Sequence, residues 1–289
     1  MMAWATPKTN WKAGDAPNSG DFNRIEENTR IIGAYTELTE SATYYVSTSG
    51  NDNNPGTQSS PFATIDKAFN MVKNKYINDA TIYLTGTGPY AMPEIKGFLP
   101  NRLLIRSTSI GTKVNISSNI IVSGMAGKTI EFVALKFMYA NCWESGIIMF
   151  GECEISGWAQ FTDCLSVHID NARAVTGEIN SIYSFRDIGT VYVSSGFVQQ
   201  TGATIGAPMI RCSSSRITIT NVTFTCSVSS SDFAAVEINS GGMAMVGGSG
   251  NITSSRPFIH SNGSVVIFTG DKPTSAANTK SAGGQIFAS

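Results

Sequence analysis

Residues 44–69 place the tightest constraint on the fold, because they predict a strand, a turn and a helix in immediate succession. Tyr-Tyr-Val at 44–46 is a strand-forming triplet. Residues 50–56 (GNDNNPG) concentrate the residue types that favour tight turns. Ser60 can cap a helix that has Pro61 at its first position, where a missing N–H group is tolerated.

One face of this helix is predicted to be buried. Phe62, Ile65, Phe69 and Val72 recur at alternating spacings of three and four residues, which places them on one helical stripe. We therefore expect these four side chains to pack against the first part of a β domain.

Short strands dominate the chain after this helix. Glycine, asparagine or serine separates most of the β runs, and helical periodicity is almost absent. The clearest runs are residues 81–84, 103–106, 119–122, 130–133, 147–150, 181–185, 191–193, 216–220, 236–238, 243–246 and 264–268. Related runs recur at about 20–25 residues, the size of one solenoid coil. An antiparallel sandwich or barrel also has regular short strands and stays an alternative.

The strand, turn and helix at 44–69 resemble the opening of a right-handed parallel β-helix of the pectate-lyase-like group, where a short helix covers the first coil. The first coil of a solenoid has an open backbone edge and an apolar end, and both need cover. The resemblance implies a mainly β fold over residues 44–289. The initial strand and capping helix would occupy 44–80, and the coils 81–289.

Composition excludes several partners. The chain has 289 residues, of which 14% are charged, and a formal net charge of −1. We therefore predict no nucleic-acid partner, because such proteins need a cationic surface. No apolar run reaches the length of a membrane span. The N-terminus lacks the basic-then-apolar pattern of a signal peptide, which favours synthesis and folding in a cytoplasm.

The five cysteines predict neither a disulfide framework nor a zinc site, because their number is odd and no CxxC pair occurs. Cys142, Cys153 and Cys164 are spaced evenly by eleven residues. A metal or redox ladder is one interpretation of that spacing. The interpretation that we favour is a set of reduced, small, apolar side chains stacked inside a coil. We predict no metal ion and no cofactor.

Residues 1–43 form a separate segment that contains one amphipathic helix. Ser19 or Asp21 can cap this helix. An isolated helix of this length is marginal in water, so we expect its apolar stripe to contact other copies of the chain or a partner. The residues expected at these contacts are Trp4, Trp11, Phe22, Ile25, Ile32 and Tyr35.

The motifs WKAGD at 11–15 and DFNRIE at 21–26 resemble the N-terminal segment of tail, baseplate and appendage proteins of phages that infect Gram-positive bacteria. The similarity covers about residues 9–32 and departs from the usual form at 16–18. It implies a structural virion protein, made in the host cytoplasm, whose residues 1–43 anchor it to other phage structural proteins. It also implies a homotrimer that recognises the host surface, with cell-wall glycan as the ligand.

Candidate chemistry centres on residues 143–163. Glu152 and Glu154 are predicted to share a strand face, with Asp163 on an adjoining strand. Trp143 and Trp158 flank these acids and could stack on sugar rings. Glycoside hydrolysis needs two carboxylates across a groove, and no lyase motif is recognisable. We therefore predict glycan contact and no catalytic residue. The alternatives are a depolymerase that cleaves a host polysaccharide and an architectural spacer without a ligand.

Two further motifs have structural interpretations. Ser166, His168 and Asp170 alternate along a predicted strand, so all three should point outward, too far apart and too parallel for a catalytic triad. Asp52 and its neighbours suggest a calcium loop, but the closing acidic residue is missing, so a turn is favoured.

Overall fold

The fold is mainly β, and its helices lie near the start of the chain. The computed structural model describes residues 12, 14–36, 41–73, 75, 77–97, 100–109, 111–176, 181–200, 208–226, 236–247, 252–253, 259–269, 279–281 and 285–288. Within these residues there are two helices, α1 (Ser19–Thr36) and α2 (Ile65–Lys73), and 24 strands in two sheets. None of the helices among them is long and apolar enough to cross a membrane.

The first sheet has 11 strands. In spatial order they are β1 (Ser41–Ser47), β2 (Asp79–Thr85), β3 (Arg102–Ser107), β6 (Thr129–Val133), β8 (Ile147–Gly151), β10 (Ser166–Asp170), β13 (Thr190–Ser194), β16 (Arg216–Thr220), β19 (Met243–Gly247), β22 (Val265–Thr269) and β24 (Gln285–Ala288). This spatial order follows the chain order, so each coil adds one strand to the growing end of the sheet.

The second sheet has 13 strands. They are β4 (Val114–Asn115), β5 (Ile120–Ser123), β7 (Leu135–Trp143), β9 (Glu154–Thr162), β11 (Arg173–Thr176), β12 (Tyr183–Arg186), β14 (Phe197–Gln200), β15 (Ile210–Ser213), β17 (Thr223–Cys226), β18 (Val236–Asn239), β20 (Ile252–Thr253), β21 (Ile259–Asn262) and β23 (Thr279–Ser281). Each half of β9 pairs with a different strand, the first half with β11 and the second with β12.

Among the described strands every pairing is parallel, and after β3 the chain alternates between the two sheets. The antiparallel sandwich or barrel that the sequence left open is therefore wrong. The prediction of a mainly β fold with parallel strands is confirmed, and the layout is consistent with a β-helix-like fold. Residues 135–143 and 154–162, which the sequence did not mark as β runs, form the two longest strands.

Left-handed backbone at single residues turns the chain from one sheet to the other. The first corner row lies after strands of the first sheet and contains Ala134, Glu152, Asn171, Ser195 and Asn221, all with φ between 48° and 56°. The second corner row lies after strands of the second sheet and contains Glu144, Asp163, Asp187, Ser214 and Ser240. Successive corners in each row are 18 to 27 residues apart, which is the size of one coil.

Hydrogen bonds between neighbouring coils stabilise these corners. The Glu152 N–H donates to the Asp170 carbonyl at 2.9 Å, and the Asp163 N–H donates to the Arg186 carbonyl at 3.1 Å. In both bonds the acceptor is the backbone carbonyl of the residue that precedes the corresponding corner in the next coil. Because this bond is made by backbone groups, the corner tolerates several side chains in spite of its positive φ.

The core lies between the sheets and is built from stacked rings and aliphatic side chains. Phe150 is fully buried and its ring lies 5.1 Å from that of Phe132, 5.4 Å from Phe137 and 5.8 Å from Phe161. Phe161 in turn stacks on Phe185 at 5.3 Å. These rings come from both sheets, so burying them joins the sheets into one core.

Helix α2 covers one end of this core, as the sequence predicted. Ile65, Phe69 and Val72 are buried, and α2 packs against β1 and β2. The predicted start of the helix at Pro61 is wrong, because Phe62 forms a parallel bridge with Val46 instead. Phe62 is buried nevertheless.

The turn before α2 supplies the true N-cap. The Thr64 hydroxyl accepts from the Lys67 N–H at 3.1 Å. The Asp52 carboxylate accepts from the Ala63 N–H, the Thr64 N–H and the Thr64 hydroxyl at 2.9 to 3.0 Å. Asp52 therefore organises the turn, as the structural interpretation of that motif expected.

Helix α1 begins with a reciprocal capping box. The Asn18 side chain accepts from the Asp21 N–H at 3.1 Å, and the Asp21 carboxylate accepts from the Asn18 N–H at 3.0 Å. The cap is therefore Asn18 and not Ser19 or Asp21. Phe22 and Ile25 are 55% and 59% exposed. Trp4, Trp11 and the side chains of Ile32 and Tyr35 lie outside the described part of the chain.

Four cysteines are buried thiols, as expected, but they do not form one stack. Cys142 lies within β7, whereas Cys153 follows the corner at Glu152 and Cys164 follows the opposite corner at Asp163. The thiols of Cys153 and Cys164 each donate to the carbonyl two residues earlier, at 3.4 and 3.5 Å. Burial raises the pKa of Cys153 to about 12 and that of Cys164 to about 11. The fifth cysteine, Cys226, has a side chain outside the described part.

Candidate functional site

The outward face of β7 and β9 is the candidate site. Along both strands small or apolar side chains point into the core while larger polar and aromatic ones point out. We call the outward set the aromatic–amide panel, and it consists of Tyr139, Asn141, Trp143, Trp158, Gln160 and Thr162. None of these side chains carries a charge at neutral pH.

A ring pair occupies one end of the panel. Tyr139 and Trp158 face each other across the two strands, and their ring centroids are 5.1 Å apart with an interplanar angle of 42°. The strand register shifts between Phe137 and Tyr139, which adds a residue to β9 near Gly157. A Cβ on Gly157 would lie 2.5 Å from the Tyr139 ring, so the glycine makes room for the ring.

Two amides and a second tryptophan complete the panel. Asn141 lies opposite Gln160, and Trp143 lies opposite Thr162. Within the described part of the chain, no hydrogen bond occupies the side-chain amides of Asn141 and Gln160. Their donors and acceptors therefore remain available to a ligand that carries hydroxyl groups.

An ion pair borders the ring-pair end of the panel. Glu154 accepts from the Lys136 ammonium at 2.7 Å, and this contact lowers the pKa of the Glu154 carboxyl, with Arg173 and Lys113 contributing at longer range. Glu154 is therefore ionised at neutral pH. A general acid needs the opposite shift, towards a raised pKa.

The structure separates the acids that the sequence grouped together. Glu152 is a corner residue with φ 53° and lies between β8 and β9, so the prediction that it shares a strand face with Glu154 is wrong. Asp163 is a corner residue of the opposite row with φ 52°. Glu154 alone of the three lies on the outward face of β9. The two tryptophans, which the sequence placed only beside these acids, both lie on the outward face.

Ser166 and His168 lie outside the panel, on the outward face of the first sheet. The Ser166 hydroxyl lies 2.9 Å from His168 Nε2, so these two side chains contact each other although they alternate along one strand. The imidazole reaches back along the strand. Asp170 instead accepts from the Ser194 hydroxyl at 2.7 Å, and Ser166 also donates to the Thr190 carbonyl at 3.1 Å. These contacts make a local network and not a triad.

Metal chemistry has no evident place in the part of the chain that the structure describes. No group of three or more histidine, cysteine or acidic side chains there is arranged to hold a metal ion. Burial lowers the pKa of His168, which favours its neutral form.

Sequence reasoning missed Tyr139, Asn141 and Gln160. The signal was present, because outward and inward residues alternate over 139–143 and 158–162. It was weak because the inward positions hold Ala140, Cys142 and Ala159, which are not typical strand formers.

Comparisons with known proteins give little further information. No protein-family model matches the chain, and neither does any curated protein. Two crystal structures of the GH136 lacto-N-biosidase from Eubacterium ramulus are similar in fold. The native form has 11% identity and a TM-score of 0.40, and it covers 92% of this chain and 70% of that one. The selenomethionine derivative has 10% identity and a TM-score of 0.41, covering 93% and 70%. These likenesses are distant, and no conclusion about this chain depends on them.

Proposed function

We propose that this chain is a structural protein of a phage tail, appendage or baseplate that recognises a glycan of a Gram-positive host cell wall. In this proposal residues 1–43 anchor the chain to the virion, and a right-handed parallel β-helix presents the aromatic–amide panel. The right hand is the one that parallel strand connections overwhelmingly adopt.

The observation that supports glycan recognition is the composition of the panel. Trp158, Tyr139 and Trp143 offer ring faces, on which the C–H faces of sugars stack. Asn141 and Gln160 lie between the rings and can bind hydroxyl groups through both donors and acceptors. Rings beside unoccupied amides are typical of polar-ligand sites in which few polar groups fix the orientation.

Anchoring is supported by the N-terminal motifs and by the capping box. The Asn18–Asp21 box marks a defined start for α1 within the segment that resembles phage tail and baseplate proteins. In the proposal, Trp4, Trp11, Ile32 and Tyr35 contact other virion proteins or other copies of the chain.

A homotrimer is supported by the outward face of the first sheet. From β8 to β22 this face contains mostly apolar and hydroxyl side chains, with His168, Asp170 and Arg216 as exceptions, and the former include Ile147, Met149, Ser166, Tyr192, Thr218, Met243, Met245, Val265 and Ile267. Leu165, Tyr192 and Met245 are 63%, 44% and 37% exposed. The stripe runs along the coil axis, so three parallel copies could cover it mutually.

Binding without cleavage is supported by the state of Glu154. A depolymerase would need a carboxyl with a raised pKa close to the bound sugar, and the Lys136 contact acts in the opposite direction. An architectural spacer would need no ring–amide surface at all. The depolymerase and the spacer therefore predict different outcomes when the chain is incubated with host cell walls.

Purified full-length chain incubated with host cell walls tests the proposal. We expect the chain to sediment with the walls and to release neither reducing ends nor unsaturated sugars. The Trp158→Ala variant should lose most of this binding. Tyr83→Ala is the matched control, because Tyr83 also belongs to an outward ring pair with a 5.1 Å separation, on the first sheet.

Release of reducing ends that depends on Glu152 or Glu154 would replace the proposal with a depolymerase. Neither binding nor release, in a chain that still assembles into virions, would replace it with the spacer. Anchoring is tested separately in phage that encode a chain without residues 1–40, which should produce particles that lack the protein.

A further inference from the structure

We propose that the aromatic–amide panel binds a linear, uncharged glycan that lies parallel to β7 and β9, and therefore across the coil axis. This inference rests on the proposed glycan-binding function. It adds three properties of the ligand, namely its direction, its minimum length and its charge.

The register of β7 and β9 sets the length. Three cross-strand rows follow one another, Tyr139 with Trp158, Asn141 with Gln160, and Trp143 with Thr162. The first and third rows are four residues apart, which corresponds to about 13 Å along a strand. One sugar ring cannot contact both ends, so a ligand that uses the whole panel must contain several linked rings.

The neighbouring strands set the direction. On one side of β7, the residues aligned with Asn141 and Trp143 are Ile121 and Ser123 of β5. On the far side of β9, the residues aligned with Gln160 and Thr162 are Ser184 and Arg186 of β12. Neither strand continues the aromatic surface. Aromatic contacts therefore extend along β7 and β9 and not from coil to coil.

The surrounding charges favour an uncharged ligand. At the ring-pair end, Lys136 pairs with Glu154 at 2.7 Å, and Arg173 and Lys113 act on the same carboxylate from farther away, so this end has more positive than negative groups. At the other end, the corner residues Glu144 and Asp163 directly follow Trp143 and Thr162, and Arg186 is aligned with Thr162, so negative groups are in excess there and a ligand of one charge is not favoured along the whole panel. The middle of the panel holds amides, which bind hydroxyl groups without requiring charge.

Titration with sugars of graded length tests the inference. The probes are chito-oligosaccharides and malto-oligosaccharides from mono- to hexasaccharide, both uncharged, and oligogalacturonates as the anionic series. Binding to the full-length chain is measured by calorimetry. For at least one uncharged series we expect the affinity to rise at least tenfold from the mono- to the tetrasaccharide, and to change little for longer probes.

Two variants separate the ends of the panel. Trp158→Ala should weaken binding at every length at least tenfold. Trp143→Ala should leave the disaccharide unaffected but reduce tetrasaccharide affinity to the disaccharide level. The control Tyr83→Ala should change none of these values, because its ring pair lies on the first sheet.

Other outcomes overturn the inference. They are an affinity independent of length, preference for the oligogalacturonates at physiological salt, or no binding to either uncharged series up to the hexasaccharide. If the chain still binds host cell walls through Trp158 in any of these cases, the proposed function stands and only the ligand geometry is wrong. Loss of wall binding as well would end both proposals.

Discussion

Each sheet carries an outward ring pair with the same 5.1 Å separation, but the two pairs have different neighbours. On the first sheet, Tyr45 stacks on Tyr83 at 16°, and the Arg106 guanidinium lies 6.0 Å from the Tyr83 ring. On the second sheet, Tyr139 lies against Trp158 at 42°. The sheet of the first pair also carries ion pairs, whereas the second pair lies between an ion pair on one side and the amides and Trp143 of the panel on the other.

The difference shows that a ring pair alone does not define a binding site. Arg102 contacts both Asp79 and Glu131, so the charges near the Tyr45–Tyr83 pair satisfy one another. That pair is best explained as cross-strand stabilisation of the sheet. The second pair has polar neighbours that the described chain leaves unoccupied, and only such neighbours can give a ligand its orientation.

The largest effect that we expect is on stability, in the Phe150→Ala variant, and it tests whether the two sheets unfold as one cooperative unit. Phe150→Ala removes the ring that contacts Phe132, Phe137 and Phe161, so we expect a loss of about 3–5 kcal/mol in the free energy of unfolding. Circular dichroism reports all the strands. Tryptophan fluorescence reports the second sheet alone if Trp4 and Trp11 are replaced by phenylalanine.

Both signals should shift together towards lower denaturant. Separate transitions, with only the fluorescence signal displaced, would show that the sheets unfold independently. The difference between the ring pairs of the two sheets would then be a difference between two independently folded units.

A pair of glycine variants tests the local support of the panel. Gly157→Ala places a Cβ 2.5 Å from the Tyr139 ring and 2.7 Å from the Met138 carbonyl, so we expect a loss of about 1–3 kcal/mol in stability. Gly151→Ala on the first sheet meets only a Val133 methyl at 3.6 Å and should change stability by less than about 0.5 kcal/mol. Urea melts measure both. Equal losses of stability in the two variants would mean that the panel does not depend on the extra residue of β9 near Gly157.

The smallest expected effect concerns the ion pair beside the panel. The Lys136 contact lowers the pKa of the folded-state Glu154 carboxyl, so its stabilising effect is present above the ordinary glutamate pKa and is lost as the pH falls through the folded value. Glu154→Gln should cost less than about 1 kcal/mol at pH 7. The difference from the unaltered chain should vanish only once the pH has fallen below the lowered folded-state pKa of Glu154. A difference that persists at low pH would mean that the side chain acts through packing and not through charge.

Part of the fold was predictable because local chemistry determines it. The turn residues around Asp52 and the apolar stripe of Ile65, Phe69 and Val72 predicted the cap at the first coil. The helix start could not be located from the residues at 60–61, because the bridge between Phe62 and Val46 depends on a strand that is distant in sequence. The backbone pairing of Phe62 with Val46 therefore prevents the helix start that the capping pattern at 60–61 favours.

The candidate site was predictable only in part, for a related reason. Trp143 and Trp158 were recognisable as isolated aromatic residues. Their shared face, and the placement of Asn141 beside Gln160, follow from the register between two coils, which composition does not specify. Glu152 was misplaced because positive φ at a glutamate is uncommon, and no neighbouring residue marks a corner there.

In the coil after β9, two strands, β11 and β12, take the place of one. This division affects which changes of sequence and length the fold can accept. Each half of β9 keeps its own partner, so the strands themselves set the register on either side, and the length of the connection between β11 and β12 does not. The same division recurs at β14 and β15 and at β17 and β18. This edge is therefore where insertions can accumulate between related chains. It is also where a foreign peptide could be grafted while β7 and β9 stay unchanged.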